Sequence, residues 1–189
     1  VDALEFSRLV LDGKNIRFEE LPCKDQELSF EILHRKLKEI IQIENFNQDT
    51  LKTLNLYDDV NGFNNAAGLL ADKNHFPGVD IVKFGENISI IQKRSTFENI
   101  SVLDVYEKAI DVFRDYYQYE VIQGADRKKI EKIPEAAFRE AIANALIHRV
   151  WDVDSQIRVS MFDDRIEIVS PGGLSSGITE EEYLSGKLF

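Results

Sequence analysis

Over residues 134–170 the apolar pattern changes period from helical to alternating, and this change restricts the fold more than any other feature of the chain. The run PEAAFREAIANALIHR, residues 134–149, puts Phe138, Ile142, Ala145 and Leu146 on one helical stripe. Pro134 suits a first helical turn, where the amide that proline lacks has no intrahelical partner. QIRVSMF and RIEIVS then alternate in character and are joined by Asp163 and Asp164, the pattern of a short β-hairpin. A helix that gives way at once to a hairpin predicts an α+β protein.

The same helix carries a second, polar stripe. Glu140, Asn144 and His148 are four residues apart, so their side chains lie on successive turns of one face. Ala137 and Ala141 border them and leave room for a ligand to approach. A carboxylate can orient and deprotonate water, and an amide oxygen suits a hard cation that keeps most of its own waters. After the hairpin comes SPGGLSSG, in which Pro171, Gly172, Gly173 and Gly177 open backbone conformations closed to other residues and let main-chain amides approach a phosphate. Thr179, with Glu182 three residues on, forms a capping box for a short helix, TEEEYLSG. Two plainer readings stand beside this one: a solvated helix face, and an ordinary strand-to-helix turn. His148 reads as a structural hydrogen-bonder at the helix end, where a cation complements the dipole, and receives no catalytic role.

This order of parts resembles the GHKL nucleotide-binding fold of gyrase, MutL and histidine kinases. It is closest, over FREAIANALIHR and FDDRIEIVSPGGL, to the divergent form found in bacterial transcriptional regulators of the Schlafen/AlbA type, often labelled as related to RecG helicase. The resemblance implies a partial GHKL-like α/β sandwich of helix, hairpin, glycine-rich loop and helix. It further implies Glu140 as the base that activates water, Asn144 as the ligand of nucleotide-bound magnesium, and Asn144, Ser170, Gly172 and Gly173 as the residues that meet the nucleotide, with ATP and Mg as cofactors. GHKL members carry an aspartate at the end of the second hairpin strand to read the adenine amino group. Here Ser170 takes that place, a group that hydrogen-bonds but brings no charge. The glycine-rich lid of the family would follow Phe189.

Composition limits the partners. A net charge of -11 argues against a broad phosphate-binding surface on this chain, so DNA binding is expected from a segment outside it, for which the family commonly has a downstream winged-helix-like part. The basic clusters Arg35, Lys36, Lys38 and Arg127, Lys128, Lys129 are isolated among acids. One cysteine, Cys23, makes no internal disulfide and fits a reducing, cytoplasmic setting. The three histidines, His34, His75 and His148, show no metal-ligand spacing. No apolar run reaches the length of a membrane span. The absence of a G-x-x-x-x-G-K-[ST] pattern argues against a helicase-type motor.

Earlier in the chain, SRLVLDGKNIRFEEL predicts a hairpin about Asp12 and Gly13. SFEILHRKLKEIIQI predicts a packing helix capped by Ser29, with Phe30, Leu33, Leu37, Ile40 and Ile41 at helical intervals. QDTLKTLNLYDD suits a short helix, and Ala66, Ala67 and Gly68 suit close approach of another to a sheet. VDIVKFG and ISIIQKR predict a second hairpin about Gly85, Glu86 and Asn87. SVLDVYEKAIDVFRDYYQYEVI reads as the longest amphipathic helix, with Val102, Tyr106, Ala109, Phe113 and Tyr116 on one face, and residues 124–129 as a linker.

The expected organisation is therefore two subdomains of a longer protein: residues 1–124, the tail of a Schlafen/AlbA-type domain, and residues 125–189, an incomplete GHKL-like module. The expected function is a transcriptional regulator in which nucleotide binding acts as a switch, with homodimer formation as one output. A weak GHKL-type ATPase and a catalytically silent scaffold for packing or dimerisation both stay open.

Overall fold

The computed structural model describes residues 10–11, 13–14, 16–123, 126–172, 181 and 185. The architecture is α+β. A 3-10 turn at Phe18–Glu20 leads to α1 (Glu31–Ile41), α2 (Gln48–Thr53), the two-residue strands β1 (Tyr57–Asp58) and β2 (Gly62–Phe63), and α3 (Asn65–Leu70). Then come β3 (Val79–Phe84), β4 (Ile91–Phe97), α4 (Val102–Tyr117), β5 (Gln118–Gln123), β6 (Asp126–Glu131), α5 (Glu135–Ile147), β7 (Ile157–Met161) and β8 (Ile166–Val169).

The main sheet has the order β4-β3-β7-β8, and only its central pair, β3 with β7, is parallel. Period-two alternation turns Val79 and Ile81 of β3 and Ile157, Val159 and Met161 of β7 to one face. There they meet Val105, Ala109, Ile110 and Phe113 of α4 and Phe138, Ile142 and Leu146 of α5. Phe113 and Phe138 stack with ring centroids 4.7 Å apart. A second cluster, Phe30, Leu33, Leu51, Leu56, Ala67 and Ala71, belongs to the first part of the chain. Residue 124, the expected boundary, falls between β5 and β6, and strands from both sides of it share the main sheet.

Lys83 lies on the inner face of β3 and is buried; its Nζ reaches Asp163 Oδ1 at 2.7 Å and sits 5.5 Å from the centre of the Tyr117 ring. The Tyr117 hydroxyl donates to the Phe162 carbonyl, and burial pushes its pKa up to about 12. These contacts clamp the β7–β8 turn onto the core. On the opposite face, buried Asp80 accepts a forked pair of bonds from Arg94 at 2.8 and 2.9 Å and a third from Thr96 at 3.0 Å, tying β3 to β4.

Several sequence expectations need correction. Val10, Leu11 and Gly13 are helical, with Lys14 N–H donating to Val10 O at 3.2 Å, where strand and turn were expected; residues 7–9, Asp12 and Asn15 of that expected hairpin lie outside the described residues. α1 is capped not by Ser29 but by Asp72, whose carboxylate accepts the Glu31 and Ile32 amides at 2.8 and 2.9 Å, a partner that a local rule does not see. Ile40 and Ile41, expected to pack, are exposed. Gly68 approaches Cys23 and Phe76, where the expectation was a sheet. The long helix stops at Tyr117, and residues 118–123 pair with 126–131 as a hairpin, so the expected linker, 124–129, overlaps the first four residues of β6. At the switch, Lys132 N–H, just beyond the returning β6, donates to the Tyr117 carbonyl at 3.0 Å, and Gln118 turns extended.

Candidate functional site

α5 has one buried and one exposed face, divided as its periodicity predicts. Phe138, Ile142 and Leu146 are buried in the core, while Glu140, Asn144 and His148 are exposed. The helix is pinned at both ends. At its start, Glu135 accepts bonds from Arg114 at 3.0 and 2.7 Å and from Gln118 at 2.6 Å. The guanidinium of Arg114 foremost holds its carboxyl down at about 2. At its end, His148 occupies the C-cap and donates its backbone N–H to Asn144 O at 3.0 Å, and Ser170 Oγ donates to Ala145 O at 3.0 Å. Both bonds satisfy carbonyls that a helix terminus leaves without partners.

Asn144 Nδ2 donates to Glu140 Oε1 at 3.2 Å. This bond fixes the amide orientation, because the nitrogen faces the carboxylate and the oxygen faces away. Asn144 Oδ1 therefore remains an acceptor with no donor among the described residues. Beside the pair, Ala137 and Ala141 form one wall of a groove of about 370 Å³, whose other wall is Ile166 and Ile168 of β8. The small residues do leave the expected space, but Glu140 and Asn144 flank the groove instead of lining it.

Asp164 and Arg165 also line this groove, whereas the sequence pattern marks Asp164 only as a turn residue and Arg165 only as the start of a strand. Arg165 bonds Glu167 through Nε at 2.8 Å, which raises its pKa, and its guanidinium lies 3.9 Å from the centre of the Phe162 ring. A basic residue that closes a hairpin beside an alanine-faced helix is the signal that would have found it.

Ser170 is held at the helix end, its hydroxyl proton committed to Ala145 O, so that the oxygen offers lone pairs to a donor. Pro171 O accepts from Val150 N–H at 3.0 Å. Gly172 has φ +149°, a backbone conformation that side chains rarely adopt, and a Cβ there would also meet Val150 Cγ2 at 3.1 Å, so both the backbone and Val150 call for glycine. Gly173, Gly177 and Thr179 lie outside the described residues. Within the expected final helix, Ser185 N–H donates to Glu181 O at 2.9 Å, the spacing of a helical turn. The structure thus brings Glu140 and Asn144 together on α5, ties Ser170 to the end of that helix through Ala145 O, and sets Gly172 against Val150.

Residues 154–188 match an ATPase-like family model, described as "Putative ATP-dependent DNA helicase recG C-terminal". The match takes in β7, β8, Ser170 and Gly172, whereas Glu140 and Asn144 precede it. The fold is similar to that in the crystal structure of the DIP2311 protein from Corynebacterium diphtheriae, with a TM-score of 0.71 and 24% identity over 98% of this chain and 39% of that one. The chain therefore spans about two fifths of that protein's length. No curated protein matches it. Among the described residues no helix is long and apolar enough to cross a membrane, and no group of three or more His, Cys, Asp or Glu is placed to hold a metal ion.

The donor set still fits nucleotide-bound magnesium, which keeps several waters and takes only one or two protein ligands beside phosphate. Asn144 Oδ1, turned outward by the bond to Glu140, is an oxygen of the type such an ion takes.

Proposed function

We propose that this chain holds the core of a nucleotide-binding module, with ATP and Mg as its ligands, in a cytoplasmic transcriptional regulator of the Schlafen/AlbA type. The observation that carries the reading is the oriented Glu140–Asn144 pair, exposed beside an apolar groove between α5 and β8. The ATPase-like match to the adjoining segment supports it. In this reading the groove takes the apolar part of the nucleotide and Ser170 accepts a bond from its amino group. Asn144 would hold the magnesium, which supplies charge neutralisation at the phosphates. Glu140, beside it, holds and deprotonates a water, giving a weak ATPase, and the Gly172–Gly173 amides meet phosphate. The module extends from residues 125–189 to the strands β3 and β4 that complete its sheet. Nucleotide occupancy is the switch; homodimer formation and DNA contact, the latter through a segment outside this chain, are its outputs.

Calorimetric titration of the protein with ATP in millimolar magnesium tests the reading. Asn144→Ala should abolish the binding heat and Glu140→Ala should remove turnover, each with less than about 0.5 kcal/mol change in stability because both side chains are exposed. Absence of heat at millimolar ATP with the unaltered protein overturns the proposal. It would leave the second reading, a catalytically silent scaffold for packing or dimerisation. Ser170 and Gly172 favour that alternative, since Ala145 and Val150 give each of them a structural duty of its own.

A further inference from the structure

A separate cavity of about 560 Å³ opens where the first part of the chain meets the sheet, within the size range of small-molecule sites. Phe18, Leu21, Leu28, Phe76 and Trp151 give it apolar walls. Phe76 meets the edge of Trp151 at a centroid distance of 6.0 Å, and the guanidinium of Arg149 lies 4.2 Å from the centre of the same indole, so the ring is fixed in place.

The polar groups in this space are few. Asn65 lines it and is only 8% exposed; its Nδ2 donates to Phe18 O at 2.9 Å, and no described residue donates to its Oδ1. Its Oδ1 opens onto the cavity from an otherwise buried side chain held by Phe18 O, an acceptor that suits a ligand bringing a donor. Cys23 lines the cavity too, packed so near Gly68 that a Cβ at that glycine would come within 2.9 Å of its Sγ. The lining also carries Asp25, Asp152 and Asp154 against Lys24 and His75, with the Arg149 guanidinium over the indole and close enough to Asp154 to feel its charge, so carboxylates still outnumber the fixed cations Lys24 and Arg149, within a chain of net charge -11. Such a balance attracts a cation and repels an anion.

We propose that this cavity is a binding site for a small aromatic amine, its ring against Phe76 and Trp151, its ammonium toward the carboxylates and an N–H on Asn65 Oδ1. The inference does not depend on the nucleotide reading, because none of these residues borders the α5–β8 groove and the test uses no ATP.

The chain has one tryptophan and one cysteine, and both line the cavity, so each is an unambiguous reporter. Three probes share a phenyl body and differ in charge: 2-phenylethylammonium, 2-phenylethanol and 3-phenylpropionate. Phenylethylammonium should shift Trp151 emission saturably, and at a tenfold excess over its Kd it should slow Cys23 reaction with a thiol reagent about tenfold. Phenylpropionate should do neither. Leu28→Trp fills the space and adds a reporter of its own, so it is read by thiol protection alone, which it should lose. The double change Asp25→Asn with Asp154→Asn leaves the walls intact and should erase the preference for the cation. No response to any probe at about 10 mM overturns the site, since even a millimolar complex would be populated there. Equal responses to all three overturn the ligand class, and undiminished thiol protection in a folded Leu28→Trp protein overturns the location.

Discussion

Replacing Arg149 by lysine tests the account of how the α5–β7 connection is held. The guanidinium is 3% exposed and makes a fork: Nη1 donates to Pro77 O at 3.1 Å, and Nη2 donates to Val153 O at 3.0 Å and Ser155 O at 2.8 Å. Burial pushes its pKa down to about 10, which leaves it charged at neutral pH. Lysine keeps the buried charge but offers one nitrogen on a shorter reach, so at least one carbonyl loses its donor. Each unsatisfied buried carbonyl costs about 1–3 kcal/mol. Loss of the guanidinium over Trp151 adds about 0.5–1 kcal/mol. The sum, about 1.5–4 kcal/mol, is a large part of a stability of ordinary size, about 5–15 kcal/mol. Urea unfolding followed by Trp151 fluorescence measures it, and the emission should also shift as the cation leaves the ring. A loss below about 0.5 kcal/mol, within the range of ordinary surface changes, would refute the fork as the element that holds this loop.

Phe138→Ala should cost about 3–5 kcal/mol by opening a cavity against Phe113, seen as a lower melting temperature; a cost near that of a surface change would show the α4–α5 contact to be slack. Glu135 has its folded pKa near 2 against an ordinary 4.5, so the stability it contributes is complete above about 4.5 and is lost as pH falls toward 2. Glu135→Gln should flatten that part of the acid unfolding profile, and an unchanged profile would remove Glu135 as its cause. Tyr117 is displaced the other way, up to about 12 from 10.0, so its contribution is complete below about 10 and fades as pH climbs toward 12. Ultraviolet titration of the folded protein should show one of its six tyrosines ionising late, and Tyr117→Phe should remove that late step.

What the sequence revealed and what it hid follow from the range of the interactions. α5 and the β7–β8 hairpin were legible because periodicity is local: Phe138, Ile142 and Leu146 could face nothing but a core, and Asp163 and Asp164 break two alternating runs. The β3–β4 hairpin was legible for the same reason, although β4 begins at Ile91, three residues into its predicted run. The end of α4 was misread because Tyr116, Tyr117 and Tyr119 prolong an amphipathic pattern past the point where β6 returns to pair. The cap of α1 was misread because its carboxylate comes from Asp72. At the site, spacing alone put Glu140 beside Asn144, but the turn residues Asp164 and Arg165 reach the groove only through the pairing of β7 with β8. Nor could local pattern reveal that Gly172 answers to Val150.

The parallel pairing of β3 with β7 also sets the order of folding. Val79 faces Ile157, so the middle of the sheet closes only after the hairpins and helices between them have been made. Local pieces such as β3 with β4 or β5 with β6 can form early, but the loop entropy of the central ladder is met late, which slows such chains and exposes unpaired strand edges meanwhile. On a ribosome, β3 would wait for its parallel neighbour through the synthesis of α4 and α5, with only β4 to cover one side.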